Sequence, residues 1–331
     1  MVPGVRSSRR PRYSSRSPER TREHRRPRIG AGVILVALAA FATGCGSAGA
    51  PGASSAGGGA RLQVVAAENF WGSIAAQLGG TKVHMESIIV NPDTDPHSYE
   101  PTAKDARTLA ESRLAIINGV GYDNWASKLL EASPSGGRVL LNVGHLLGLS
   151  EGDNPHRWYF PADVQRVIGA ITAAYQRLDP SAAGYFAAQR VALETKGLAR
   201  YDELRAQIRA KYAGVPVGYS ESIFQGLGDD LHLKLLTPYS FVKAIAEGTE
   251  VTAQDKRTVD EQAEARRIRV WLFNSQNVTP DVQRVNEIAR AKGIPIATVT
   301  ETLAPAGDTF EQWQVAELEG LARALRAATR R

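Results

Sequence analysis

The chain has 331 residues, 43% hydrophobic and 22% charged, which is enough for two lobes of ordinary domain size, each with a real core. Its net charge of +6 is unevenly spread: residues 1–44 hold ten Arg and two Glu, and the remainder carries 30 Lys and Arg against 32 Asp and Glu. That balance leaves no basic face of the kind nucleic-acid binding needs, and the single cysteine, Cys45, excludes an internal disulfide.

Residues 1–44 read as a signal peptide, with an Arg-rich start through Arg28, an apolar core from Ile29 to Phe41, and Ala42-Thr43-Gly44 ahead of Cys45. The apolar run is shorter than the roughly 20 residues a membrane-spanning helix needs. A cysteine in this place resembles a bacterial lipobox, with Ala42 where the usual pattern has Leu. Lipidation would make Cys45 the mature N-terminus and hold the chain on the outer face of the cell membrane or in the periplasm. A plain secretory signal with an incidental cysteine is the alternative, and the long leader fits either a twin-arginine signal or a later start codon. Residues 46–60 contain only Gly, Ala, Ser and Pro. Such a segment cannot bury enough apolar surface to order itself, so residues 45–60 are a lipidated cysteine and a tether spanning on the order of 20 Å and stretching to about 50 Å.

From Leu62 the chain alternates short β-rich runs with helical stretches, the pattern of a parallel sheet covered by helices. Strands are predicted at Leu62–Ala66, Val83–Val90, Leu114–Asn118 and Val139–Val143, and helices at Phe70–Leu78, Ala103–Ser112 behind a Thr102 cap, and Asn124–Ala132. Helical patterns then follow without a strand, at Pro161–Leu178 and Ser181–Tyr212. In the second, Tyr185, Ala188, Val191, Ala192, Leu198, Tyr201, Leu204 and Ile208 mark one face. A helix of this length would run about 48 Å, a rigid strut that permits only limited lobe motion. The rhythm resumes with strands at Pro216–Ser220, Leu233–Leu236, Val270–Asn274 and Pro295–Thr300, and helices at Thr252–Arg267, Pro280–Ala291 and Thr309 to about Ala328. The expected fold is α/β: two similar parallel-sheet lobes, residues 61–180 and 214–331, joined by a long rigid helix over residues 181–213.

Ligands of open α/β sheets bind beyond the carboxyl ends of the strands, and four side chains fall there. His97 lies in a loop braced by Pro92, Pro96 and Pro101 after the strand at Val83, and His156 lies in the loop after the strand at Val139. Glu221 follows the strand ending at Ser220, and Glu301 the strand ending at Thr300. Singly, each has an ordinary explanation: a surface loop histidine, a helix cap, a first-turn acid favoured by the helix dipole, a solvated carboxylate. Together, two imidazoles from one lobe and two carboxylates from the other make an N2O2 set that suits a borderline divalent ion in the interlobe cleft. His145 is a spare candidate ligand, His84 and His232 are placed in strands as structural or exposed residues, and Asp93 and Asp95 serve local turns.

The motifs Asp95-Pro-His97-Ser-Tyr-Glu-Pro101, Asn118-Gly-Val-Gly-Tyr122 followed by Trp125, Pro155-His156-Arg-Trp158, Ser220-Glu221 and Thr300-Glu301-Thr302 occur in the order seen in zinc/manganese ABC-transporter solute-binding proteins, which residues 62–330 resemble. The resemblance implies an extracytoplasmic receptor, acting as a monomer, that holds Zn2+ or Mn2+ as cargo and delivers it to an ABC permease with its ATPase. It implies His97, His156, Glu221 and Glu301 as ligands, with Glu301 where the family usually has Asp. The extra methylene bears on geometry and metal preference. The His-rich loop of many zinc-specific members is missing between Gly148 and Asp153.

Two other function classes compete with a receptor. A secreted metal-dependent hydrolase would keep an open coordination position and a general base, whereas four protein ligands favour capture. His-Glu-x-x-His is absent, and Gly218-Tyr-Ser220-Glu-Ser222 fails the nucleophile-elbow pattern at its last position. A surface adhesion lipoprotein would use the anchor but give the four strand-end groups no role. In a receptor the ion would meet the first-lobe histidines and be closed over by the second-lobe glutamates. Release would then need contact with the permease. Because only neutral imidazole coordinates, binding should weaken as pH falls through about 6.

Overall fold

A computed structural model describes residues 61–329 except Asp95, His97 and Ser98. The signal peptide, Cys45 and the tether therefore lie outside the described residues, as does His97. Strands β1 (Leu62–Glu68), β2 (Val83–Ile89), β3 (Leu114–Ile117) and β4 (Val139–Asn142) form one wholly parallel sheet in the order β2-β1-β3-β4. Strands β5 (Pro216–Tyr219), β6 (Lys234–Leu235), β7 (Val270–Asn274) and β8 (Ile296–Val299) form a second in the order β6-β5-β7-β8. The two sheets share one topology, as the repeated strand-helix rhythm predicts. Both point their strand ends at the same region, and the described residues belong to one compact unit.

The first sheet is covered by α1 (Asn69–Gly79) and α5 (Pro161–Leu178) on one face and by α2 (Ala103–Glu111) and α3 (Asn124–Ala132) on the other. Alternate residues of β1 divide accordingly: Val64 and Ala66 join the large core with Trp71 and Ile171, while Val65 and Ala67 pack with Leu109 and Trp125. Thr102 forms a reciprocal capping box with Asp105, and Thr279 caps α11 (Pro280–Ala291) with proline in its first turn, both as the sequence indicates. The helices α10 (Ala253–Glu264) and α12 (Phe310–Thr329) complete the second layer. Short helices α4 (Val143–Leu147), α8 (Gln225–Asp230) and α9 (Tyr239–Ala246) fill connections that carry no long periodic pattern.

The long connecting helix departs from expectation. It is built as α6 (Ala183–Ala192), a π-helical turn over Leu193–Gly197, and α7 (Ala199–Tyr212). The π turn adds a residue to the repeat, so the buried face is not the one an unbroken 3.6-residue period selects. Ala182, Phe186 and Leu193 face the core in the first part, whereas Ala188, Val191 and Ala192 are exposed. After the turn, Leu198, Tyr201, Leu204 and Ile208 are buried as predicted. Thr195 donates from Oγ1 back to the Val191 carbonyl at 2.7 Å, a contact that competes with regular helix bonding here. The connector is thus a bent helix rather than a single rigid strut. His232 also differs from its predicted place, lying in a turn before β6 with φ of 55°.

The two layers meet through specific contacts. Phe160 lies against Gly226 of α8 so closely that a Cβ added there would stand 2.4 Å from its ring carbons. Asn154 donates to the Ser222 carbonyl at 2.8 Å, and Gln276 to the Pro92 carbonyl at 2.6 Å.

Candidate metal centre

Each predicted ligand that is described sits at or near the carboxyl end of its sheet, because β-strand hydrogen bonding runs out there and frees a side chain to turn inward. Glu221 follows β5 in extended conformation, between Ser220, which still donates its N–H to the Leu272 carbonyl, and the short 3-10 turn at Ser222. Glu301 follows β8, where the side-chain carbonyl of Gln276 accepts the N–H groups of Glu301 and Thr302 at 2.6 and 3.1 Å. His156 comes from the first-sheet side in a loop held by Asn118, which donates to the Pro155 carbonyl at 3.0 Å and accepts from Trp71 Nε1.

The structure brings these three together. One donor atom of each of His156, Glu221 and Glu301 lies within 4.8 Å of the others, and the side chains are 0, 1 and 6% exposed. Donors about 2.1 Å from a tetrahedral ion lie roughly 3.4 Å apart, close to the 3.6 Å between His156 Nε2 and Glu221 Oε1. Two carboxylates and an imidazole withdrawn from water carry an electrostatic cost that a divalent cation between them removes.

The surrounding side chains orient the acids and set the imidazole tautomer. Asn274 Nδ2 donates to Glu221 Oε2 at 2.9 Å and to Glu301 Oε1 at 3.0 Å, so one buried amide aligns both acids. Tyr122 donates to Glu301 Oε2 at 2.9 Å. Burial first, and then the charge of Glu301, raises the Tyr122 phenol well above its ordinary pKa and keeps it a donor. Asn154 sends its Nδ2 to the Ser222 carbonyl, which turns its Oδ1 toward the His156 backbone N–H at 3.0 Å and Nδ1 at 2.9 Å. Nδ1 is therefore the protonated nitrogen, and Nε2, on the Glu221 side, is the one able to coordinate. The imidazole edge meets the rings of Tyr122 and Trp158.

Tyr122 is carried by an unusual loop in which Gly119, Val120 and Gly121 all have positive φ, of 71°, 57° and 79°. For a β-branched residue this is a strained conformation, and a Cβ at Gly119 would lie 2.4 Å from Asn142 Oδ1. Asp123 holds the loop by accepting from Asn118 N and Gly119 N at 2.6 and 2.7 Å. Glu68 is buried beside it; burial followed by the Asp123 charge pushes Glu68 well up, while burial raises Asp123 to about 6.

His145 stands apart, on α4, with no place in this cluster. His84 is exposed on β2. Asn274, Gln276 and Asn154 carry no titratable group, so a search of strand ends for ionisable side chains passes over them. The signal was present all the same, since Asn274 closes β7 at the edge that supplies Glu221 and Glu301.

Paired parallel α/β layers closed on a buried His-Glu-Glu cluster define a two-lobed binding protein. The chain belongs to the family of the zinc-uptake complex component A periplasmic protein (ZnuA), whose model matches residues 64–324. It is 26% identical over 158 residues to the manganese-binding lipoprotein MntA of Halalkalibacterium halodurans, covering 47% of this chain and 51% of that one. It is 31% identical over 108 residues to the manganese ABC transporter substrate-binding lipoprotein PsaA of Streptococcus pneumoniae, covering 31 and 33%. The chain thus spans about half or less of the length of these curated relatives. In fold it is similar to a manganese-bound periplasmic metal-binding protein from Candidatus Liberibacter asiaticus, with a TM-score of 0.67 and 20% identity over 80% of this chain and all of that one.

Proposed function

We propose that this protein is an extracytoplasmic receptor that captures Zn2+ or Mn2+ and passes it to an ABC permease with its ATPase, working as a monomer anchored through Cys45. The observation that carries the reading is the convergence of His156, Glu221 and Glu301, buried and individually oriented, from the two sheets. His97, outside the described residues, supplies the fourth donor in this proposal, from the loop that follows β2. The relatives, a manganese-binding lipoprotein and a manganese ABC transporter substrate-binding lipoprotein, support the same class.

Capture rather than catalysis follows from the way the acids are used. Asn274 holds Glu221 and Glu301 together and Tyr122 holds the second again, an arrangement that supports fixed carboxylate donors around a captured ion. The domain division is proposed as residues 61–180 and 214–331 about the connector at 181–213, which bends at its π turn. Intrinsic affinity favours Zn2+ over Mn2+ at an N/O site, so supply and geometry decide the physiological cargo.

Native mass spectrometry with elemental analysis of residues 46–331 tests the proposal. One divalent ion per chain is expected, lost in His97→Ala and Glu221→Ala. A wild-type protein without stoichiometric metal, or variants that bind like wild type, would contradict it.

A further inference from the structure

Away from the cluster, one acid touches the segments that carry ligands on both sides. Glu317, on the final helix α12, places Oε1 2.8 Å from Thr300 N and 3.1 Å from Thr300 Oγ1. Its Oε2 lies 2.6 Å from the hydroxyl oxygen of Tyr159, and that same oxygen lies 2.8 Å from the Thr300 carbonyl. Thr300 immediately precedes Glu301. Tyr159 is three residues beyond His156 and donates its N–H to the His156 carbonyl at 3.1 Å. Trp313, from the same helix, donates to Thr300 Oγ1 at 2.8 Å and completes the enclosure.

The hydrogen count is informative. A phenol has one hydrogen, but the Tyr159 oxygen stands at hydrogen-bonding distance from two oxygens that would both be acceptors if Glu317 were ionised. A second hydrogen resolves this if it sits on Glu317. Then Oε2–H donates to the Tyr159 oxygen, Tyr159 donates to the Thr300 carbonyl, and Oε1 accepts from Thr300. We infer that Glu317 is a neutral carboxylic acid that acts as a positioning residue, clamping the His156 and Glu301 segments to each other. The inference on affinity rests on the metal-receptor reading; the protonation state does not.

Burial raises the Glu317 carboxyl to about 8, which agrees with the hydrogen count. Titratable side chains near it include Tyr159 and, from α7, Tyr201, with the Arg205 guanidinium 5.0 Å from the centre of the Tyr201 ring. Burial keeps both phenols well above their ordinary range, so neither titrates before the acid does. Because the folded-state value lies above the ordinary carboxyl value of 4.5, the clamp is fully present below that pH and is lost as pH rises through about 8.

Two variants test the proposal on the purified full-length protein. Infrared difference spectra of metal-free wild type against Glu317→Gln should show a protonated-carboxyl band at pH 7 that disappears above about pH 9. This readout needs no metal and would survive failure of the receptor reading. In chelator-competition titrations with Zn2+, wild-type affinity should fall several-fold as pH rises through about 8. Glu317→Gln, which keeps one donor and one acceptor, should bind within about twofold of wild type at pH 7 and lack that alkaline fall. Glu317→Leu should bind about tenfold more weakly at pH 7. The proposal is overturned if the band is absent, if Glu317→Gln weakens binding as much as Glu317→Leu, or if the alkaline fall persists in Glu317→Gln.

Discussion

Replacing Asn274 with Ala removes one amide that holds two acids. Its Nδ2 bonds Glu221 Oε2 at 2.9 Å and Glu301 Oε1 at 3.0 Å, and the residue is fully buried. Hydrogen bonds to charged groups contribute about 1.5–3 kcal/mol each, so the pair represents roughly 3–6 kcal/mol before relaxation. Without metal, the loss should fall mainly on folding, because two buried carboxylates lose their shared donor. A net loss of about 3 kcal/mol corresponds to a drop in Tm on the order of 6–12 °C. With metal, the ion neutralises the acids and the residual penalty is misorientation. Partners of this kind typically cost 10–100-fold in metal affinity, about 1.4–2.7 kcal/mol. Thermal unfolding with and without Zn2+, together with chelator competition, reads both terms. The metal-induced rise in Tm should remain substantial while the metal-free Tm falls. An Asn274→Ala protein with wild-type Tm and affinity would refute the assignment of Asn274 as the group that aligns both carboxylates.

Three further outcomes are expected. Asn154→Ala should release the tautomer of His156 and weaken metal binding about tenfold, visible in the same competition titration and as a mixed tautomer in imidazole nitrogen NMR; unchanged affinity with one retained tautomer would contradict the assignment. Gly226→Ala should push the Phe160 ring from α8 and destabilise the protein by about 1–3 kcal/mol in urea unfolding, whereas an unchanged midpoint would mean the layers yield freely there. Glu68 has a folded-state pKa well above 4.5, so the native state retains its proton and stability falls as pH rises above that value. Glu68→Gln, a neutral replacement, should be no less stable than wild type at pH 7, and marked destabilisation at that pH would show the acid is ionised.

The fold was legible where the physics is local. Buried parallel strands such as Leu114–Ile117 and Val270–Asn274 announce themselves as short apolar runs, and the caps at Thr102 and Thr279 mark helix starts to the residue. The strand-end rule also points to His156, Glu221 and Glu301, whose side chains the fold brings together. The connector is not legible because a π turn changes the repeat: a fixed period places the buried face through Val191, which is 56% exposed, instead of Leu193, which is 3% exposed. The polar scaffold was equally hard to read. Asn274, Gln276, Asn154 and Glu317 act through partners between 2 and 184 positions away, and no local pattern relates an asparagine closing one strand to acids that follow two others.

The most direct test of the account is X-ray diffraction at the absorption edge of zinc from crystals grown with Zn2+. The account predicts a single anomalous peak bounded by His156 Nε2 and carboxylate oxygens of Glu221 and Glu301, each about 2.0–2.2 Å away, with an imidazole nitrogen of His97 as the fourth donor. A peak elsewhere in the molecule, or a fully ordered cluster with no peak at saturating Zn2+, would contradict it.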